Sequence, residues 1–105
     1  MAQFDVYVNP QPNTTKFVPY VVDIQSALID RLPTRLVMPL ARVQTNTGKL
    51  PINLCPQIEI EGAILSLMPH LASPLSSRSL GRPVTSIAGH GAEILAAMDA
   101  VTSGV

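Results

Sequence analysis

A mainly β domain, curled or closed into a barrel and finished by one C-terminal helix, is the fold class this sequence predicts. Three features carry that expectation. Several short runs alternate apolar and polar residues, breaks rich in Pro, Asn and Gly separate them, and only residues 92–102 repeat with a helical period. At 105 residues a single domain spanning residues 1–105 is the natural count. A chain of this size buries roughly two thirds of its unfolded surface in one modest core. The apolar fraction of 47% is high for so short a chain. It predicts apolar surface left over for a partner, and a homodimer is the simplest one.

Residues 3–8 open as a strand with Phe4, Val6 and Val8 on one face and Asp5 and Tyr7 on the other. The run from Asn9 to Asn13, with Pro10 and Pro12, ends it in a loop. Residues 17–23 are β-branched and aromatic and predict a second strand. Its Pro19 implies an edge or a bulge, because proline has no amide proton to give a ladder. Residues 27–29 are apolar again before Asp30, Arg31 and Pro33 interrupt the chain. The clearest strand covers residues 35–43, where Pro39 implies a bulge or kink. Residues 44–56 have loop composition.

Residues 57–60 and 63–67 form the best hairpin, turning at Glu61 and Gly62, where glycine supplies the positive φ such turns need. Residues 69–83, with three prolines and four serines, predict irregular chain with room for one or two short edge strands. In the helix, Ile94, Leu95, Met98 and Val101 make the apolar stripe, and Glu93, Ala96, Asp99 and Ala100 lie outside it. Ser86 or Gly89 is the candidate cap.

The composition disfavours several function classes. Seven basic and seven acidic side chains balance, whereas gripping nucleic acid by its phosphates takes a basic excess. Direct nucleic-acid binding is not expected. Cys55 has no partner for an internal disulfide, which suits a reducing compartment. No run approaches the length of a membrane span, and the first twenty residues lack the basic start and apolar stretch of a signal peptide. The expected location is cytoplasmic.

Chemistry is sparse. His70, His90 and Cys55 match no metal-ligand spacing, so no metal or other cofactor is expected. Cys55 beside Pro56 reads as a small buried residue. Glu59 and Glu61, on one strand face, read as solvated carboxylates, and Gly89-His90-Gly91 lacks the spacing of a phosphate loop. Asp23, Asp30, Arg31 and Arg35 read as ordinary surface ion pairs. The positive feature is the end of the chain. Ala92, Ala96 and Ala100 with Asp99 leave the outer helix face nearly bare, and Ser103, Gly104 and Val105 follow. Small residues permit close approach of a partner, so this end is the candidate interaction surface.

The segment DIQSALID at 23–30, followed by RLVMPL at 35–40, resembles the CcdB toxin family, in which a similar D-Q-S-D run precedes an R-V-P-L strand. QFDVY at 3–7, LCP at 54–56 with Ile58 and Ile60, LAS at 71–73 and the closing Gly104-Val105 are similar to further family stretches, in order along the chain. The resemblance implies an SH3-like barrel of antiparallel strands with a small side sheet, one C-terminal α-helix and a homodimer. It further implies a non-enzymatic toxin of a type II toxin–antitoxin system. Such a toxin binds the DNA gyrase A subunit, traps the cleaved gyrase–DNA complex and is neutralised by a CcdA-like antitoxin.

Carried over by position, the gyrase-binding residues are Asp99, Thr102, Ser103, Gly104 and Val105 of the helix end. The strand positions Ser26, Leu28 and Ile29 near the dimer axis complete the set. The family's best-known members have tryptophan where this chain has Ser103, a neutral amide in place of Asp99 and a larger apolar residue in place of Thr102. Two alternatives stand beside that reading: a toxin of the same fold, or an inactive homologue, with another target, and a MazF-like endoribonuclease. Fold alone does not separate these, but neutral charge disfavours the RNA-cutting one.

Overall fold

A computed structural model describes residues 2–26, 32–43 and 55–103. Among the described residues seven strands run in chain order: β1 (Asp5–Val8), β2 (Tyr20–Asp23), β3 (Thr34–Arg42), β4 (Gln57–Ile60), β5 (Ala63–Leu67), β6 (Ser73–Ser76) and β7 (Thr85–Ser86). The helix α1 (Gly91–Ser103) follows. All strand pairings are antiparallel, in the order β4-β5-β3-β2-β1-β7, with β6 branching off β3. The sheet curls into a half-barrel, and α1 packs its apolar side onto the core. The mainly β class with one C-terminal helix is therefore present.

β3 organises the sheet because it has two partners along one edge. Its first half, Thr34–Val37, pairs with β6, and its last residues, Leu40 to Arg42, pair with β5. Its other edge pairs with β2 over Val37 to Leu40. Pro39 implies a bulge or kink, yet no bulge forms: Tyr20↔Leu40, Val21↔Pro39 and Val22↔Met38 follow without a skipped residue. The Pro39 carbonyl accepts a bond of 3.0 Å from the Met68 amide, on the β5 side. In a strand the N and O of one residue point the same way, so the missing amide proton falls where β3 changes partner. No β2 ladder bond is lost.

Both faces of β1 to β3 are covered. Val6, Val22, Met38 and Leu40 face the main core, with Ile58, Ile60, Leu65 and Leu67 from the hairpin and Ile94 from α1. Tyr7, Val21 and Val37 point the other way, under Leu80 and Leu75. The expected alternation of β1 holds, with Val6 on the main core and Tyr7 on the opposite face, but neither of those faces is left to solvent. Tyr7 is buried by that second cluster, and Val8 is 57% exposed at the strand's end. Phe4 precedes the strand rather than joining its alternation. It has φ +72°, and its amide donates to the Asp23 carbonyl. β2 begins only at Tyr20, with Phe17 exposed in the preceding turn. The hairpin forms as expected, with φ +49° at Glu61 and +83° at Gly62, the two positive values of a tight two-residue turn.

Tyr7 carries a testable consequence of this double burial. Its side chain is 1% exposed, and its hydroxyl makes no hydrogen bond among the described residues. Burial, followed by the negative charges of Asp5 and Asp23, pushes its pKa above the ordinary 10.0, with Arg35 acting against them. The folded state thus holds the phenol proton more tightly than the unfolded chain. That stability is complete below about pH 10 and falls as pH rises from there through the folded value. Tyr7→Phe is expected to remove most of this alkaline loss and to leave stability at pH 7 unchanged or higher by about 1 kcal/mol. Urea melts of both proteins at pH 7 and above pH 10 check it. An identical alkaline decline in the two would be inconsistent with Tyr7 as its source.

Candidate functional site

α1 buries Gly91, Ile94 and Ala97 and half-buries Met98. The expected stripe is thus rotated. Leu95 is 47% exposed and Val101 36% exposed, because the helix leans on the 3-10 turns Pro69–Leu71 and Ala88–His90 and its last turn lies beyond the core. Gly91 lies directly over the Phe4 ring. A Cβ there would sit 2.8 Å from a ring carbon, so a side chain would need that ring to move. Ser86 Oγ accepts from the Ala88 amide at 3.3 Å, one residue before the 3-10 turn's cap position at Ile87, which has no side-chain cap bond.

The outward face of α1 consists of Ala92, Leu95, Ala96, Asp99, Thr102 and Ser103, all exposed. Its hydroxyls are turned inward on the helix. Thr102 Oγ1 donates to the Met98 carbonyl at 3.0 Å, and Ser103 Oγ donates to the Asp99 carbonyl at 2.6 Å. Such back-bonding adds a second donor to carbonyls within the helix and takes both hydroxyls away from outward presentation. What remains outward is small, mostly apolar surface around the one carboxylate of Asp99. Gly104 and Val105 lie outside the described residues.

Ser26 is on a different element, exposed directly after β2, and Leu28 and Ile29 lie outside the described residues. The chain reaches Ser26 through a buried polar cluster that the sequence reading placed at the surface. Asp23 is 0% and Arg35 1% exposed. Arg35 Nη2 and Nε approach Asp23 Oδ2 at 2.7 and 2.8 Å. Asp30 and Arg31 lie outside the described residues. Asp23 Oδ1 accepts the Gln25 amide at 2.9 Å, an Asx turn that ends the strand. Gln25, also buried, accepts the Leu36 amide at its Oε1, 2.9 Å away. Gln25 was missed because a lone glutamine carries no burial signal. The signal for the ion pair was present: both charges interrupt β-branched runs instead of falling in the breaks.

The structure thus brings Asp99, Thr102 and Ser103 together on one helix face, with Ser26 on a separate segment. Among the described residues no group of three or more His, Cys, Asp or Glu is placed to hold a metal ion. Glu61 sits in the hairpin turn and so does not share a strand face with Glu59, and both are exposed. Cys55 is buried, which pushes its thiol pKa up, away from nucleophilic use. His90 Nδ1 lies 3.1 Å from Glu93 Oε1 on the exposed start of the helix. A cleft lined by Asn9, Thr14, Val18, Pro39 and Leu75 opens on the second sheet face. Asn9 there is spent on Thr14, Val18 and Gln11. No described helix is long and apolar enough to cross a membrane.

The described residues thus form a small mainly β domain, a curled antiparallel sheet closed by a C-terminal helix. The chain belongs to the CcdB protein family, whose model matches residues 3–104, nearly its whole length. Membership makes it the toxin component of a toxin–antitoxin pair, in a family of gyrase poisons rather than enzymes. No curated protein matches the chain.

Proposed function

We propose that the protein, as a cytoplasmic homodimer, binds the DNA gyrase A subunit and traps the cleaved gyrase–DNA complex, and that a cognate CcdA-like antitoxin removes it. The observation carrying this reading is the family match over residues 3–104, which runs through α1 and past its last described turn. The gyrase-binding residues are Asp99, Thr102, Ser103, Gly104 and Val105 of the helix end, with Ser26, Leu28 and Ile29 of the segment after β2.

The mechanism asks no chemistry of this chain. Gyrase itself breaks the DNA, and a ligand that binds the cleaved state better than the resealed one shifts the population toward breaks. Two copies of one short surface, related by a two-fold axis, suit a two-fold enzyme. The exposure of the helix end supports this, since Thr102 and Ser103 are available without unfolding the core.

The test incubates purified gyrase, supercoiled plasmid and the protein, then strips the proteins with denaturant. Linear plasmid is expected to accumulate with toxin concentration. None, even at large excess, would overturn the gyrase reading. Ser103, where the best-known relatives have tryptophan, favours one second reading: a homologue with another target that still binds antitoxin. Antitoxin binding without linear plasmid would identify it.

A further inference from the structure

We infer that Gln3, Asp23, Gln25 and Arg35 are positioning residues that peel the chain off β3 at Ile24 and thereby present Ser26 to the partner. This inference rests on the gyrase-binding reading. The register of β2 against β3, with Asp23 opposite Val37, puts Ile24 opposite Leu36. A regular antiparallel ladder would exchange two bonds between them. Only one is made, from the Ile24 amide to the Leu36 carbonyl at 2.9 Å. The other two groups of that pair are taken by side chains. Gln25 Oε1 captures the Leu36 amide at 2.9 Å, and Gln3 Nε2 captures the Ile24 carbonyl at 3.2 Å.

The ladder is thus opened on one side without leaving a polar group unmet, and the chain departs there. Asp23 sets the direction of departure by binding the Gln25 amide through Oδ1, while Arg35 holds its other oxygen. A buried ion pair is a poor source of stability compared with an apolar pair of similar size, so its evident product here is a defined conformation. Ser26, the first exposed residue after five buried ones, receives that conformation.

The test uses the full-length chain in two forms. Gln25→Met keeps the volume and removes the acceptor for Leu36. Asp23→Leu with Arg35→Met replaces the ion pair without stranding a charge. Both are expected to melt close to wild type, to bind a purified gyrase A fragment at least about tenfold more weakly, and to exchange the amide protons of residues 24–26 and of Leu36 faster while other strand amides hold. A purely structural role would not produce that local split. Wild-type affinity in both variants overturns the inference, whether or not exchange rises. If the double variant fails to fold, Gln25→Met decides alone. If the wild-type protein itself does not bind gyrase A, the functional reading fails. The exchange data then judge the positioning by themselves: faster exchange confined to residues 24–26 and Leu36 supports it, and unchanged exchange overturns it.

Discussion

Arg35→Ala is expected to cost about 3–5 kcal/mol of folding stability, a large share of what a domain this small possesses. The reason is the charge left behind. Asp23 is fully buried, and its Oδ2 is held by two guanidinium nitrogens of Arg35 at 2.7 and 2.8 Å. Without them a carboxylate would remain in a site lined by β1 to β3, with the Gln25 amide on its other oxygen. Asp23→Ala should be of similar severity, since it strands the guanidinium and also removes the turn that ends β2. Replacing both partners with apolar residues should cost far less than either single change. Urea denaturation of the two single variants and the double one forms a complete cycle. A loss below about 1 kcal/mol for Arg35→Ala would mean that the pair behaves like an exposed one.

Deleting residues 103–105 is expected to abolish growth arrest and to weaken gyrase A binding by at least about a hundredfold, the loss of an interface centre. The fold should survive. Ser103 is exposed and contributes only its back-bond to the Asp99 carbonyl, whereas the anchoring contacts of α1 come from Gly91, Ile94, Ala97 and Met98. A shift of the melting midpoint by only a few degrees is therefore expected. Ser103→Trp should act in the opposite sense, adding an aromatic anchor and tightening binding by about thirtyfold, or about 2 kcal/mol. Growth arrest unchanged by the deletion would remove the helix end from the contact surface.

Much of the fold was legible because it is encoded locally. The hairpin at Glu61 and Gly62 needs only alternation on either side of a glycine, and α1 is the one stretch with a helical period. β3 was found but its Pro39 misread. The proline argument assumes a partner on both edges at every position, and only the sheet order reveals that the amide side of Pro39 faces the change from β6 to β5. The helix stripe was displaced for a related reason. Leu95 and Val101 are as apolar as Ile94, and only the supporting 3-10 turns decide which of them is covered.

The candidate site divides in the same way. Its helix half was legible as small residues on an outer face, and Asp99, Thr102 and Ser103 are indeed exposed there. Its strand half was legible only by resemblance, because Ser26 has no distinguishing chemistry of its own.

Alternation, turn residues and period are properties of neighbours along the chain, so the sequence alone determined the main strands, the hairpin and the C-terminal helix, though not β7. Burial of a charge depends on residues far apart in sequence. Asp23 and Arg35 are twelve positions apart, and they became a buried pair only when Tyr7, Leu75 and Leu80 closed over the second face of the sheet. That closure, and the half-opened rung at Ile24 and Leu36, were decided by tertiary structure, since no local pattern specifies which of two apolar sheet faces will be covered.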